Sequence, residues 1–162
     1  MNVAVLYYSQ YGNTKLVAET IADALSAYAD VTLLEMSGLS RSHVDDASLI
    51  IVGAPTHKMN LPETVRNTLS SLPRGILNGK ACAAFDTSYE MSRWLRPFTA
   101  APRLAKAMKK AGGKMVVPPE RFLIEHDHHG PLHAGELARA HEWAHRIAEQ
   151  IHAPRGRIST AR

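Results

Sequence analysis

The chain reads as an α/β domain built on a doubly wound parallel sheet with helices on both faces. Three observations predict this. Short apolar runs alternate with helical periodicities along nearly the whole sequence, and several of these runs lack the polar alternation of a strand with one wet face. The length of 162 residues suits one such domain with a core of its own.

Val3 to Tyr8 is an apolar, β-favouring run, and from Thr14 onward Leu16, Val17, Thr20, Ile21, Ala24 and Leu25 fall at helical spacing. Val31 to Leu34 forms the next strand. Leu49 to Val52 forms the third, after a polar link containing Asp45 and Asp46. Both runs are too apolar for an edge facing water, so the sheet is expected to be covered on both sides. Pro62 suits a first helical turn. Val65, Leu69 and Leu72 then mark one face of a helix of about three turns that Pro73 ends. Ala81 to Phe85 is the fourth strand, and Leu104, Ala107 and Met108 lie on a helix that stops at Gly112-Gly113. Met115 to Val117 begins a fifth strand, which meets Pro118-Pro119 and resumes from Arg121 to Glu125. Paired prolines cannot donate to a central ladder, so this strand belongs at the sheet edge, bent or bulged there. Gly135 to Ile151 closes the domain as a helix carrying Trp143 on its core side. Residues 1–152 form the domain, and 153–162, with Arg155, Arg157 and Arg162, read as a flexible basic tail.

The 45% hydrophobic and 21% charged fractions exclude a disordered chain. No apolar run approaches the ~20 residues of a bilayer span. The opening residues lack the basic start and small-residue cleavage site of a signal peptide. Cys82 is the lone cysteine, which excludes an intrachain disulfide; with the preceding features it predicts a cytoplasmic protein, and its apolar surroundings predict a core position. The net charge is +4. The excess resides in the tail and in Lys106, Lys109, Lys110 and Lys114, which read as a solvated helix face or as a docking patch for an acidic redox partner, with no nucleic-acid partner expected.

In a doubly wound sheet ligands bind beyond the carboxyl ends of the strands, so the loops after the first, third and fourth strands should carry function. The first, Ser9-Gln10-Tyr11-Gly12-Asn13-Thr14, joins a buried strand to a helix start. There Gly12 permits a close turn, free amides converge, and the Ser9 and Thr14 hydroxyls can add donors to a phosphate. The same loop can also be read as a plain turn capped by Asn13 or Thr14. The second, Gly53 to Pro62, combines a rigid Pro55 with polar and apolar side chains suited to gripping a flat ring.

Together, SQYGNT and GAPTHKMNLP, about forty residues apart, resemble the flavodoxin family, and the resemblance extends over residues 1 to 152. It implies a five-stranded parallel sheet of order 2-1-3-4-5 that holds flavin mononucleotide (FMN). FMN rather than FAD is expected, because the chain has one phosphate site and no adenine-binding half. Carried onto this sequence, Ser9, Gln10, Gly12, Asn13 and Thr14 would hold the phosphate, with Tyr11 in the same cofactor-binding loop. Pro55, Thr56, His57, Lys58 and Asn60 would border the ribityl chain and ring, and Asp86, Thr87, Ser88 and Tyr89 would form the third loop. Tyr89 and Trp94 are the candidates to cover the ring.

Tyr11 departs from the small hydroxyl residue of the carrier flavodoxins and looks more like the flavodoxin-like quinone reductases and protoporphyrinogen oxidases. The resemblance thus implies either an FMN-dependent oxidoreductase or an electron-transfer protein, working with a redox partner protein or a small electron donor or acceptor. The basic pI of 9.4 is also unlike the acidic carriers. A flavin-free module binding a phosphorylated ligand is the alternative. Phosphoacceptor signalling is excluded, because Ser9 and Gly53 stand where a receiver domain needs acidic residues. The histidines at 126, 128, 129, 133, 141 and 145 read as structural rather than as a metal site. His57 or His128 could donate a proton at the rim of the pocket.

Overall fold

The computed structural model describes residues 1–125 and 129–152; the predicted tail and His126, Asp127 and His128 lie outside the described residues. The strands are β1 (Asn2–Tyr7), β2 (Asp30–Glu35), β3 (Leu49–Pro55), β4 (Ala81–Ser88), β5 (Lys114–Met115) and β6 (Glu120–Leu123). The helices are α1 (Asn13–Ser26), α2 (Arg41–Asp46), α3 (Glu63–Ser70), α4 (Ala100–Lys110) and α5 (Glu136–His152). All pairings are parallel and the order is β2-β1-β3-β4-β5, with β6 also beside β4. The fifth position is thus filled twice. β5 pairs with Ala81 and Cys82 at the start of β4, and β6 pairs with Phe85 to Ser88 at its end, with Pro118-Pro119 in the gap.

The pleat explains the two-sided core. Val3 and Val5 of β1 point to one face with Leu49, Ile51, Ala83 and Phe85, where α1 supplies Val17, Ile21 and Leu25 and α5 supplies Trp143 and Ile147. Ala4 and Leu6 point to the other face with Ile50, Val52, Cys82 and Ala84, covered by Val65 of α3 and by Leu104 and Met108 of α4. Burial pushes the Cys82 thiol up to about 11, so it behaves as a small apolar residue.

Three expectations are corrected. β2 is an edge strand and none of its residues is buried, because only β1 flanks it and one side of the strand is left open. The helix after Pro62 is eight residues long, shorter than the three turns expected. Its end tightens into an i,i+3 bond from the Leu72 amide to the Leu69 carbonyl before Pro73 is reached. The polar link before β3 contains α2, too short for a periodic pattern; its one signal is Ser40 with His43 three residues on, which form a capping box. The lysines of α4 are exposed. Lys109 and Lys110 lie in its last turn, where cations complement the helix dipole, roughly 15 Å along the helix from its N-terminal end.

Gly53 of β3 sits directly across from Phe85 of β4, and a Cβ there would lie 2.0 Å from the Phe85 ring. That ring is fully buried, edge-on to Phe122 and Trp143 at centroid distances of 6.0 and 6.1 Å. Gly53→Ala is therefore expected to destabilise by about 1–3 kcal/mol through overpacking, lowering Tm by roughly 2–4 °C per kcal/mol. An unchanged thermal melt would show that the aromatic cluster yields freely.

Candidate functional site

The loop after β1 turns into α1 through Gly12, whose φ of +95° is left-handed and favours glycine. The Gly12 amide donates to Ser9 Oγ at 3.1 Å, which closes the loop on itself and leaves the Ser9 hydroxyl hydrogen to point elsewhere. Helix α1 has no side-chain cap and no acidic residue in its first turn. Its first amides lack intrahelical carbonyls, so the positive end of the helix is open to an anion. Asn13 and Thr14 are buried at this end, and Asn13 Nδ2 donates to the His129 carbonyl at 3.1 Å. Gly130, at φ +88°, allows that approach, since a Cβ there would lie 2.5 Å from the Asn13 side chain. The Tyr11 and His129 rings lie 4.3 Å apart, centroid to centroid.

The strands run further than their apolar cores suggest, and this sets the other two walls. β3 continues to Pro55, and the Thr56 amide donates to the Thr87 carbonyl at 3.0 Å. Thr56 Oγ1 accepts from the Ala100 amide at 2.9 Å, tying this loop to the start of α4. His57 and Asn60 exchange backbone hydrogen bonds at 2.8 and 2.7 Å around Lys58 and Met59, whose φ values of 44° and 58° are left-handed. Such non-glycine residues cost on the order of 1–3 kcal/mol each, and backbone strain of this kind clusters at ligand loops. β4 continues to Ser88, so Asp86 to Ser88 are strand residues. Thr87 Oγ1 and Thr14 Oγ1 share one hydrogen bond of 2.8 Å between the third loop's strand and α1. One hydrogen serves that bond, and the second is left for another acceptor.

These elements meet in a narrow cleft with about 20 Å³ of free space. Ser9, Gln10, Tyr11, Asn13 and Thr14 line it from the first loop, Pro55, Thr56 and His57 from the second, and Thr87 from β4. Ile124 completes the lining. It was missed by sequence reasoning because its place depends on its amide bonding the Ser88 carbonyl, a pairing that no local pattern signals. Gly12 shapes the loop from behind, and Lys58 and Asn60 stand on the turn beside the cleft. Asp86 and Ser88 are fully buried and bonded to each other at 3.0 Å, and Asp86 Oδ2 accepts from the Ala101 amide at 2.7 Å, which caps α4. Tyr89 is half-buried, and Trp94 is 73% exposed on the 3₁₀ segment Arg93–Phe98; neither lines the cleft. His57 lines the cleft, while His128 lies outside the described residues. Among the described residues no group of three or more His, Cys, Asp or Glu is placed to hold a metal, and no helix is long and apolar enough to cross a membrane.

The fold and the cleft define a doubly wound α/β protein with a ligand crevice where the strand order reverses. The flavodoxin family model matches residues 5–144, and the chain belongs to the flavodoxin family. No curated protein sequence matches it. Among solved structures it is similar to oxidised flavodoxin 2 from Bacillus cereus, at 21% identity and a TM-score of 0.77, over 93% of this chain and 99% of that one. A flavodoxin from the domain Archaea is similar at 24% identity and a TM-score of 0.73, again over 93% and 99%. The rubredoxin:oxygen oxidoreductase of Desulfovibrio gigas matches at 22% identity and a TM-score of 0.74, over 94% of this chain but 37% of that one. These likenesses show the fold. Family membership implies FMN as the cofactor and an electron-transfer or oxidoreductase function.

The residues present fit the phosphate end of FMN: an open helix N-terminus, a left-handed glycine, the Ser9 hydroxyl hydrogen, and the one hydrogen that the bonded Thr14–Thr87 pair keeps free.

Burial pushes the Asp86 carboxyl up from 3.8 to about 6, against the opposing pull of the Ala101 amide, the Thr99 and Ser88 hydroxyls and the Arg121 charge. The folded state then binds the proton more tightly than the unfolded one, so this group's contribution to stability falls as pH rises from about 4 to about 6. The total is on the order of 3 kcal/mol. Asp86→Asn keeps an acceptor for the Ala101 amide and should flatten that fall in denaturation measured across the window. Equal slopes in both proteins would assign the pH dependence to other groups.

Proposed function

We propose that this chain exchanges electrons with a redox partner protein or a small donor or acceptor through FMN seated across the cleft. In this reading Ser9, Gln10, Tyr11, Gly12, Asn13 and Thr14 surround the phosphate. Pro55, Thr56, His57, Lys58 and Asn60 border the ribityl chain and one side of the ring, and Thr87 closes the inner wall. Tyr89, with Trp94 on the neighbouring segment, stands on the ring's other side. The observation that carries the proposal is the uncapped N-terminus of α1, which opens onto a cleft walled by the two other loops.

When bound, FMN supplies the redox chemistry; the protein supplies the grip, the orientation and the electrical surroundings. Among the described residues lining the cleft there is no Lys, Arg, Asp or Glu, so the phosphate would be held by amides, hydroxyls and the helix dipole rather than by an ion pair. Affinity for FMN should therefore depend only weakly on salt.

The test compares two ligands that differ only in the phosphate. Ser9→Ala with Thr14→Ala removes two hydrogen bonds to a charged group, each worth ~1.5–3 kcal/mol, so FMN binding should weaken by at least about two orders of magnitude. Riboflavin binding should hardly change in the same titrations. Heat release from the purified protein should yield FMN, identified by chromatography. Equal losses for both ligands would remove the phosphate from this loop. A colourless protein that binds phosphorylated ligands but no flavin would favour the flavin-free module.

A further inference from the structure

A second cavity, of about 440 Å³, opens at the sheet edge between the start of α4, the strand β6 and the first turn of α5. This volume lies within the range of small-molecule sites. Six charged side chains line it: Glu90, Arg96, Glu120, Arg121, Glu136 and Arg139. Three of them are committed to the fold. Arg139 bonds Glu120 Oε1 and Glu136 Oε2, each at 2.9 Å, and also donates to the Arg121 carbonyl, while Glu136 Oε2 accepts from the Leu123 amide at 2.7 Å. These bonds occupy the Arg121 carbonyl and the Leu123 amide of β6 and fasten α5 to it.

The other three are held differently. A single oxygen, Glu90 Oε1, bridges Arg96 Nη2 at 3.5 Å and Arg121 Nη2 at 3.7 Å, too far for a good hydrogen bond to either. Arg121 also reaches the Tyr89 carbonyl, at 3.4 Å. Its side chain is 15% exposed, whereas that of Glu90 is 63% exposed. A sheltered guanidinium is therefore matched by a loosely held carboxylate on a solvent-borne side chain, which water and salt readily displace. The amides at the start of α4 are not the attraction, since Thr56 and Asp86 already take those of Ala100 and Ala101.

We propose that Glu90 stands in for a ligand, and that this cavity binds a small organic monocarboxylate. The ligand's two oxygens replace Glu90 Oε1, pairing with the Arg96 and Arg121 guanidiniums in the forked geometry that arginine favours. Its apolar body rests on Pro102, Pro119 and Leu123, which a bare inorganic anion would leave unused. Arg139 is already taken by Glu120 and Glu136, so the described lining keeps no further cation for a second anionic group, which favours one carboxylate over two. The site does not require FMN to be bound in the cleft.

The probe is phenylacetate, titrated into the full-length protein at constant ionic strength while the side-chain N–H resonances of Arg96 and Arg121 are followed by NMR. Inorganic phosphate and uncharged 2-phenylethanol are the comparison arms. Phenylacetate should saturate the shift of both arginines, and neither comparison ligand should do so. Glu90→Gln, an exposed substitution, should tighten phenylacetate by about tenfold by removing the competing carboxylate, and Arg96→Gln should weaken it by a similar factor. Unchanged or weaker binding by the Glu90 variant would overturn the proposal. Saturation by phosphate would reassign the cavity to inorganic anions, and saturation by 2-phenylethanol would reassign it to apolar ligands; either result ends the carboxylate reading.

Discussion

Strand β1 lies between β2 and β3, so the chain leaves it on one side, returns on the other, and sends the crossovers to opposite faces of the sheet. The loops after β1 and β3 diverge at that reversal, and the gap between them is the cleft. Everything else at the site depends on that divergence. The apolar alternation of β1 anchors it, because both faces of the strand are buried and a one-residue slip would invert every contact. Gly53 then lets β3 and β4 keep register beneath the Phe85 ring, which carries Thr87 to the inner wall where it meets Thr14.

The charges are segregated in a way that fits two kinds of recognition. The cleft lining carries no Lys, Arg, Asp or Glu among the described residues, and its polarity comes from hydroxyls, amides and one helix end. The arginines gather instead at the open edge beside β6, where Arg139 and Glu136 complete the strand's hydrogen bonds and Arg121 and Arg96 share a weakly held glutamate. Dipoles that are already oriented bind an anion without desolvating a full charge, whereas a sheltered guanidinium gives direction and selectivity.

Asp86 joins these two regions. It is fully buried, holds the Ala101 amide of α4, and feels the Arg121 charge on the far side of β4. Thr56, on the next loop, holds the adjoining Ala100 amide. The start of α4 is thus held by Thr56 from the loop after β3 and by Asp86 from β4, so both loops are tied to the same helix end.

The element order was legible in the sequence, because buried parallel strands write continuous apolar runs and the helices between them write a period near 3.6. The two loop segments SQYGNT and GAPT were legible by their place directly after buried strands and by Gly12, Ser9 and Thr14 at a helix start, a combination that a plain turn shares. Tertiary structure alone decided the rest. The apolar run Val31 to Leu34 became a half-buried edge because an edge depends on which strands stand beside it, and α2 was hidden because six residues are too few for a period. Ile124 reached the cleft and Asp86 turned from a loop position into a helix cap through partners that lie far away in the chain, Ser88 for one and α4 for the other. Local spacing reports which face of an element is buried; the register of strands distant in sequence decides which side chain that face meets.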